Sequence, residues 1–270
     1  MPIRFRRLPV FASVALAFLA NACKPELVVG TLGTSSSECE PEGGSAGAGS
    51  AGKTVDVPWT TGFENDFCDY FQSGGFCYGD PDASNTIVKA PVHDGGHAAA
   101  FSVTGDPARN GRQTRCFLEG ALPLDAVYGA WFYLSASADA VDNWNLIHFQ
   151  GGDPPPGPLP YLWDISLERS DDGSLHLYVR DFLNGTVRVP EPPAPVPIGS
   201  WFHVEFRLLR AADATGAVAL YQDEVLLLEV PNILTDNTVF GQWYVGNLVS
   251  TLTPPDSTIY VDDVTIRAEP

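Results

Sequence analysis

The chain has 270 residues, and 33 acidic against 15 basic side chains give it a formal net charge of −18. This balance argues against nucleic acid as a partner, because phosphate binding requires a surface rich in lysine and arginine. Hydrophobic residues make up 44% of the chain, which excludes wholesale disorder, and 26 glycines with 23 prolines favour a turn-rich β protein over a helical one.

The first 22 residues have the pattern of a secretion signal. Three arginines within the first seven residues precede an apolar run over residues 10–20, which is too short to span a bilayer as a mature helix. The segment 20–23, Ala-Asn-Ala-Cys, resembles the lipobox of bacterial lipoproteins. Residues 1–22 are therefore predicted to be a signal peptide and Cys23 a lipidated cysteine, with ordinary cleavage after residue 22 as the alternative. We expect an extracytoplasmic protein, a bacterial lipoprotein at the outer membrane or cell surface.

Residues 23–54 are predicted to be a tether between the lipidated cysteine and a domain over residues 55–270. A Gly, Ser and Ala run covers residues 43–50, and large apolar side chains are scarce, so burial cannot offset the entropy of ordering this segment. Loss of the signal peptide removes three arginines and no acid, which brings the side-chain charge from −18 to −21.

The cysteine count suits an oxidising compartment. Setting aside the cysteine of the lipobox leaves four, an even number. Cys68 and Cys77 bracket a short glycine-containing loop, so a Cys68–Cys77 disulfide is predicted, with Cys39 then paired to Cys116. The sequence alone allows three pairings.

From residue 55 onward the dominant hydrophobic period is two, which is typical of strands. The predicted strands are 129–134, 144–150, 162–169, 175–181, 201–209, 218–221 and 259–266. Asn184-Gly185 is a two-residue hairpin signal, and the proline-rich stretches 153–160 and 190–197 must be loops. These features predict an all-β fold, one two-sheet antiparallel sandwich.

Alternation along these strands separates a core face from a polar and aromatic face. Ile147 and Phe149 oppose a set on the other face of their strand: Trp144, His148 and Gln150. The strand 175–181 likewise carries His176, Tyr178 and Arg180 opposite its leucines and valine. Such a face is either ordinary solvated surface or a sugar-binding groove, where aromatic rings stack on pyranoses and planar polar groups bond hydroxyls. The absence of lysine from this face favours the groove.

Several short segments, in this order, resemble the concanavalin A-like (LamG-like) jelly-roll superfamily, and within it the heparin-lyase and glucuronan-lyase type of polysaccharide lyase. They are Thr61-Gly-Phe-Glu64, Asp94-Gly-Gly-His-Ala98 with Phe101, 129–134, 199–204 and 260–264. The resemblance covers roughly residues 56 to 268 and implies a two-sheet antiparallel jelly roll.

The resemblance also implies a set of catalytic residues. Such lyases neutralise a uronate carboxylate and move a proton from C5 to the leaving oxygen. Arg115 aligns with the family's Arg-x-Glu-Leu strand, although Phe117 replaces the glutamate, and His148 with Gln150 aligns with its second strand. The candidates for the catalytic tyrosine are Tyr178 and Tyr221. The candidates for substrate binding are Trp144, His176, Arg180 and Arg112.

The resemblance further implies a structural calcium ion between the first and last strands. Glu64 with Asp262 or Asp263 would supply its ligands. No cofactor is expected to be required for function.

Charge bears on the choice of function. A polyuronate meets long-range repulsion from this acidic protein unless Arg109, Arg112 and Arg115 line the groove. The main hypothesis is therefore a secreted, membrane-tethered carbohydrate-binding protein, a monomer whose partner is a polysaccharide or cell-surface glycan and which meets the membrane only through its lipid. The alternatives are a polysaccharide lyase that cleaves a uronate-containing glycan by β-elimination and a non-catalytic adhesion or scaffold domain.

Overall fold

A computed structural model describes residue 39 and residues 55–104, 111–140, 143–152, 159–236, 238 and 240–269. The predicted signal peptide, the lipidated Cys23, most of the tether and Arg109 lie outside the described residues. Within these ranges, no helix has the length and apolar character needed to cross a membrane.

The described chain is almost entirely β-strand, with one short helix. The elements are β1 (Trp59–Thr61), α1 (Cys68–Gln72), β2 (Phe76–Gly79), β3 (Ala83–Val88), β4 (Ala98–Val103), β5 (Arg112–Gly120), β6 (Asp125–Leu134), β7 (Asp139–Ala140), β8 (Trp144–Gly152), β9 (Tyr161–Arg169), β10 (Leu175–Asp181), β11 (Thr186–Arg188), β12 (Trp201–Leu209), β13 (Gly216–Gln222), β14 (Val225–Ile233), β15 (Phe240–Val249), β16 (Leu252–Thr253) and β17 (Ser257–Ala268). The seven predicted strands are confirmed within β6, β8, β9, β10, β12, β13 and β17.

Two large antiparallel sheets form the sandwich. The eight-stranded sheet has the order β14-β13-β12-β6-β17-β4-β3, with β1 also paired to β17, and the seven-stranded sheet has the order β11-β10-β9-β8-β15-β5-β2. This architecture confirms the predicted jelly roll.

The core lies between the two sheets and follows the predicted alternation. On β12 the residues Phe202, Val204, Phe206 and Leu208 are fully buried, whereas the residues between them are half-buried. They meet large side chains of the seven-stranded sheet, such as Trp163, whose ring centre lies 5.9 Å from that of Phe206. Each such buried side chain stabilises the fold by about 1.5–3 kcal/mol.

A bulge in β8 overturns one predicted face. Asn145 pairs with Ser166 and Ile147 with Ile165, which leaves Leu146 as an extra residue. The extra residue reverses the alternation on its N-terminal side. Trp144 is therefore 1% exposed in the core, and the prediction that it shares the polar face of His148 is wrong.

The disulfide prediction is also wrong. The bonds are Cys39–Cys68 and Cys77–Cys116. Cys77 and Cys116 lie directly opposite each other on the paired strands β2 and β5, with Cα atoms 4.0 Å apart. Strand register, rather than closeness in sequence, selects this partner.

The hairpin at Asn184-Gly185 is longer than predicted. Asp181 on β10 pairs with Thr186 on β11, so the loop has four residues, 182–185. Gly185 takes the left-handed conformation that the turn requires, with φ of 64°.

Candidate functional site

A line of side chains crosses the face of the seven-stranded sheet that points away from the core. Consecutive strand partners place it from β10 to β5, in the order Arg180, Asp164, His148, Tyr244 and Phe117. Residues directly opposite each other in antiparallel strands project from the same face and are close enough to interact. We call this line the cross-strand row.

His148 and Asp164 form a buried pair at the centre of the row. Each is 4% exposed, and His148 Nδ1 contacts Asp164 Oδ1. His148 Nε2 has no hydrogen-bond partner among the described residues. Burial lowers the pKa of His148, although Asp164 opposes this effect. The imidazole is therefore neutral at neutral pH, with its proton donated from Nδ1 to Asp164 and a lone pair left on Nε2.

Tyr244 stands beside His148, with 5.4 Å between the two ring centres. Its hydroxyl lies 3.1 Å from Gln150 Oε1 and also contacts Gln242 Oε1, so it donates to a side-chain amide. Burial raises the pKa of Tyr244, which keeps the hydroxyl protonated at neutral pH.

Arg115 lies against the ring of Tyr244. Its guanidinium carbon is 4.5 Å from the centre of the Tyr244 ring, a cation–π distance. Nη2 donates to the Tyr78 hydroxyl over 3.2 Å and to Gln113, whereas Nε and Nη1 are buried without a partner among the described residues. Unsatisfied donors on a buried cation are costly, and an anionic group of a ligand would satisfy them.

A glycine on β15 lets β5, the strand that carries Arg115, pack closely against β15. Gly246 pairs with Arg115 and has φ of 146°. A Cβ there would come within 2.5 Å of the Thr114 carbonyl oxygen and 2.8 Å of the Arg115 Cα atom. Any side chain at this position would therefore push β5 away from β15.

Two of the predicted substrate-binding residues lie apart from the row. His176 is hydrogen-bonded to Ser170 over 2.7 Å and to Glu168 over 3.0 Å, near the start of β10. Arg112 is buried at the start of β5 and donates to the carbonyl oxygen of Thr104.

The remaining candidates lie on β10 of the same sheet and on β13 of the other sheet. Tyr178 stands opposite Ser166, two strands away from β8, and burial raises its pKa. Arg180 occupies the end of the row, with its guanidinium 5.8 Å from the ring centre of Phe182. Tyr221 is on β13 in the eight-stranded sheet. Tyr178, Arg180 and Tyr221 are not strand partners of His148, whereas Tyr244 is.

Tyr244, Gln242 and Asp164 were not predicted as site residues. Asp164 lies in the predicted strand 162–169, but its contact with His148 was not predicted. β15 was not predicted, because nearly every residue of this strand is buried and the contrast between its faces is confined to residues 242–245. The alternation of Gln242 and Tyr244 with Trp243 and Val245 was the one signal present in the sequence.

The predicted calcium ligands make other contacts. Glu64 accepts hydrogen bonds from the backbone N–H groups of residues 96–97, at 2.7 and 3.0 Å. Asp262 accepts one from His93 N over 2.9 Å, and burial raises its pKa to about 6. Asp263 contacts His93 Nδ1 over 2.6 Å. In the described part of the chain, no three His, Cys, Asp or Glu side chains are grouped to hold a metal ion. A structural calcium ion at these carboxylates stays a prediction.

A pocket of about 420 Å³ lies on the outer surface of the eight-stranded sheet, away from the cross-strand row. Trp131, His203 and Glu205 are among its lining residues. The Trp131 ring is stacked against two imidazoles, those of His93 and His203, at 3.7 and 4.9 Å between ring centres. These contacts compete with the stacking of a sugar on this tryptophan.

Comparison with solved structures finds the same jelly-roll fold in proteins of low sequence identity. The endo-β-1,4-glucuronan lyase of the fungus Trichoderma reesei superposes with a TM-score of 0.57 at 19% identity, over 72% of this chain and 90% of that one. The PL-14 alginate lyase of Aplysia kurodai has a TM-score of 0.53 at 10% identity, over 80% and 100% of the two chains. The chain has the jelly-roll fold of these lyases.

The fold alone does not decide the chemistry. Cellulose induced protein Cip1 is similar to the same degree, with a TM-score of 0.53 at 14% identity over 78% of this chain and 97% of that one. No protein-family model and no curated protein sequence matches the chain.

Proposed function

We propose that the protein is a polysaccharide lyase that cleaves a uronate-containing glycan by β-elimination. The observation that carries the proposal is the combination of a neutral, buried His148 with an unshared Nε2, a protonated Tyr244 beside it, and a buried Arg115 with unpaired donors. These are the three groups that such an elimination requires: a base, an acid and a cation for the carboxylate.

Arg115 binds the uronate carboxylate and stabilises the negative charge that develops there when C5 loses its proton. His148 Nε2 takes the C5 proton, and the electron pair of the C5–H bond forms the C4–C5 double bond as the C4–O bond breaks. Tyr244 donates its phenolic proton to the departing glycosidic oxygen. The proton on His148 then returns through solvent to the tyrosinate, so no co-reactant is consumed.

Asp164 is a positioning residue in this scheme. By accepting the Nδ1 proton of His148, it fixes the tautomer that leaves Nε2 as the base. The amide oxygens of Gln150 and Gln242 both lie beside the Tyr244 hydroxyl, which donates its single proton to one of them, and these contacts orient the hydroxyl.

The test is the formation of 4,5-unsaturated uronates, which absorb in the ultraviolet, when the purified protein is incubated with glucuronan, alginate and heparin. We expect activity on at least one polymer and its loss in His148→Ala and Tyr244→Phe. His97→Ala is the matched control, because this half-buried histidine contacts Glu64 and lies outside the row, and it should keep the activity. A wild-type protein that forms no unsaturated product from any of them, yet is retained in glycan affinity gels, would contradict the lyase proposal.

The second candidate is a carbohydrate-binding protein without lyase activity. The formal charge of −18 favours it, because a neutral glycan is not repelled. Retention of the wild type by neutral glycans, without cleavage of any uronate polymer, would select this candidate. An adhesion or scaffold role would be indicated if no glycan were retained.

We propose export and lipid anchoring as the setting for this activity. The Cys39–Cys68 and Cys77–Cys116 bonds support export, since disulfides persist in oxidising compartments. Because Cys39 is bonded to the domain, residues 23–38 set the reach from the lipid, at most about 55 Å when fully extended. Cys23→Ala should release the protein from membranes in a bacterial host, and a variant that stayed membrane-bound would contradict anchoring at this cysteine.

A further inference from the structure

A single carboxylate stands on the far side of Tyr244 from Arg115. Alternation along β5 places Arg115, Phe117 and Glu119 on one face of the strand, and Glu119 pairs with Gln242 on β15. Four residues of strand separate the Cα atoms of Arg115 and Glu119 by roughly 13 Å. The two sides of the reacting centre therefore carry opposite charges.

Glu119 is connected to the reacting centre by one amide. Gln242 Nε2 donates to Glu119 Oε2 over 2.8 Å, and Gln242 Oε1 accepts from the Tyr244 hydroxyl. Glu119 thus fixes which way the Gln242 amide points. The carboxylate is half-buried, and no basic side chain within the described ranges forms an ion pair with it.

We propose that Glu119 is a specificity-determining residue that makes the adjoining subsite accept a neutral sugar and reject a uronate. The inference rests on the proposed lyase function and names its substrate class: a glycan in which the uronate bound by Arg115 is next to an uncharged residue. The sugar on the Arg115 side is held through its carboxylate. On the Glu119 side, a second carboxylate would meet an unneutralised like charge, whereas sugar hydroxyls can donate to Glu119.

The sharpest test uses one polymer in two charge states. Partial reduction of the carboxyl groups of glucuronan turns some glucuronates into neutral glucose without changing the linkage. We expect the wild type to have a kcat/KM on the partly reduced polymer roughly ten times that on the fully charged one, because opposed like charges weaken binding strongly. Glu119→Gln, which keeps an acceptor for Gln242, should bring this ratio close to one, and added salt should narrow it in the wild type alone.

Glu229→Gln is the matched control, since Glu229 is exposed on β14 of the other sheet and the substitution changes the net charge equally. A wild-type ratio near one, or a ratio that Glu119→Gln leaves unchanged, would overturn the specificity proposal while leaving the lyase proposal intact. If neither polymer is cleaved, the lyase proposal fails. Calorimetric binding of the two polymers to the wild type and to Glu119→Gln then still decides whether Glu119 selects against charge.

Discussion

Replacement of Asp164 by asparagine tests whether Asp164 sets the tautomer of His148, the proposed base. The variant keeps the size of the side chain and removes the charge that holds the Nδ1 proton of His148. An asparagine amide can donate to Nδ1, which would leave the proton on Nε2, where the proposed base must be unprotonated.

The expected loss follows from the bond that disappears. A buried hydrogen bond to a charged group contributes about 1.5–3 kcal/mol. If this hydrogen bond stabilises the His148 tautomer with its proton on Nδ1, its loss lowers kcat/KM by about 10- to 160-fold.

The pH profile gives the second readout. Burial lowers the pKa of His148 and Asp164 partly opposes that effect, so the variant should have a still lower pKa at this residue. Activity requires the neutral imidazole and falls as the pH drops through the pKa, so the acidic limb of the profile should move to lower pH in Asp164→Asn. Rates of unsaturated uronate formation between about pH 4 and 8 measure both effects. Activity within twofold of the wild type, with an unmoved acidic limb, would refute the role given to the pair.

Three further outcomes are expected. Tyr244→Phe should lose elimination activity at least a hundredfold while retaining oligosaccharide affinity in calorimetry, and a parallel loss of affinity would argue against its role as the acid. Trp144→Ala should lower the free energy of unfolding in urea by about 3–5 kcal/mol, because it opens a core cavity, whereas Trp144→Phe should leave glycan affinity unchanged. Replacement of Cys77 and Cys116 by serine should destabilise the fold by about 4 kcal/mol, as the bond closes a 39-residue separation, and an unchanged melting temperature would contradict this pairing.

The fold could be predicted where one strand face meets the core and the other meets solvent. β12 shows this contrast at every residue, and its bounds match the prediction. β4 and β15 have nearly all residues buried, so their sequences lack a period and only the packed structure reveals them. The bulge at Leu146 was equally invisible, because one extra residue leaves no mark in a pattern of apolar letters.

The same distinction applies to the site. Arg115 on one strand, and His148 with Gln150 on another, were predicted from a resemblance, and the structure brings all three around Tyr244. Tyr244 lies 94 residues from Gln150, and only the pairing of β15 between β5 and β8 makes them neighbours. Contacts of this kind depend on sheet order, which local alternation does not encode.

The net charge of the protein and the charge of Arg115 act on a polyuronate at different distances. A formal charge of −18 repels a polyuronate over about one Debye length, about 8–10 Å in physiological salt. Considered alone, this repulsion favours a neutral ligand. Arg115 acts within contact distance instead, where water is excluded and screening is weak. A repulsive long-range field combined with the buried cation beside Tyr244 favours a glycan whose uronates are sparse, because each carboxylate that does not reach Arg115 adds repulsion. The placement of Glu119 beside the same tyrosine acts in the same direction, so the net charge and the local site both select against a uniformly charged polymer.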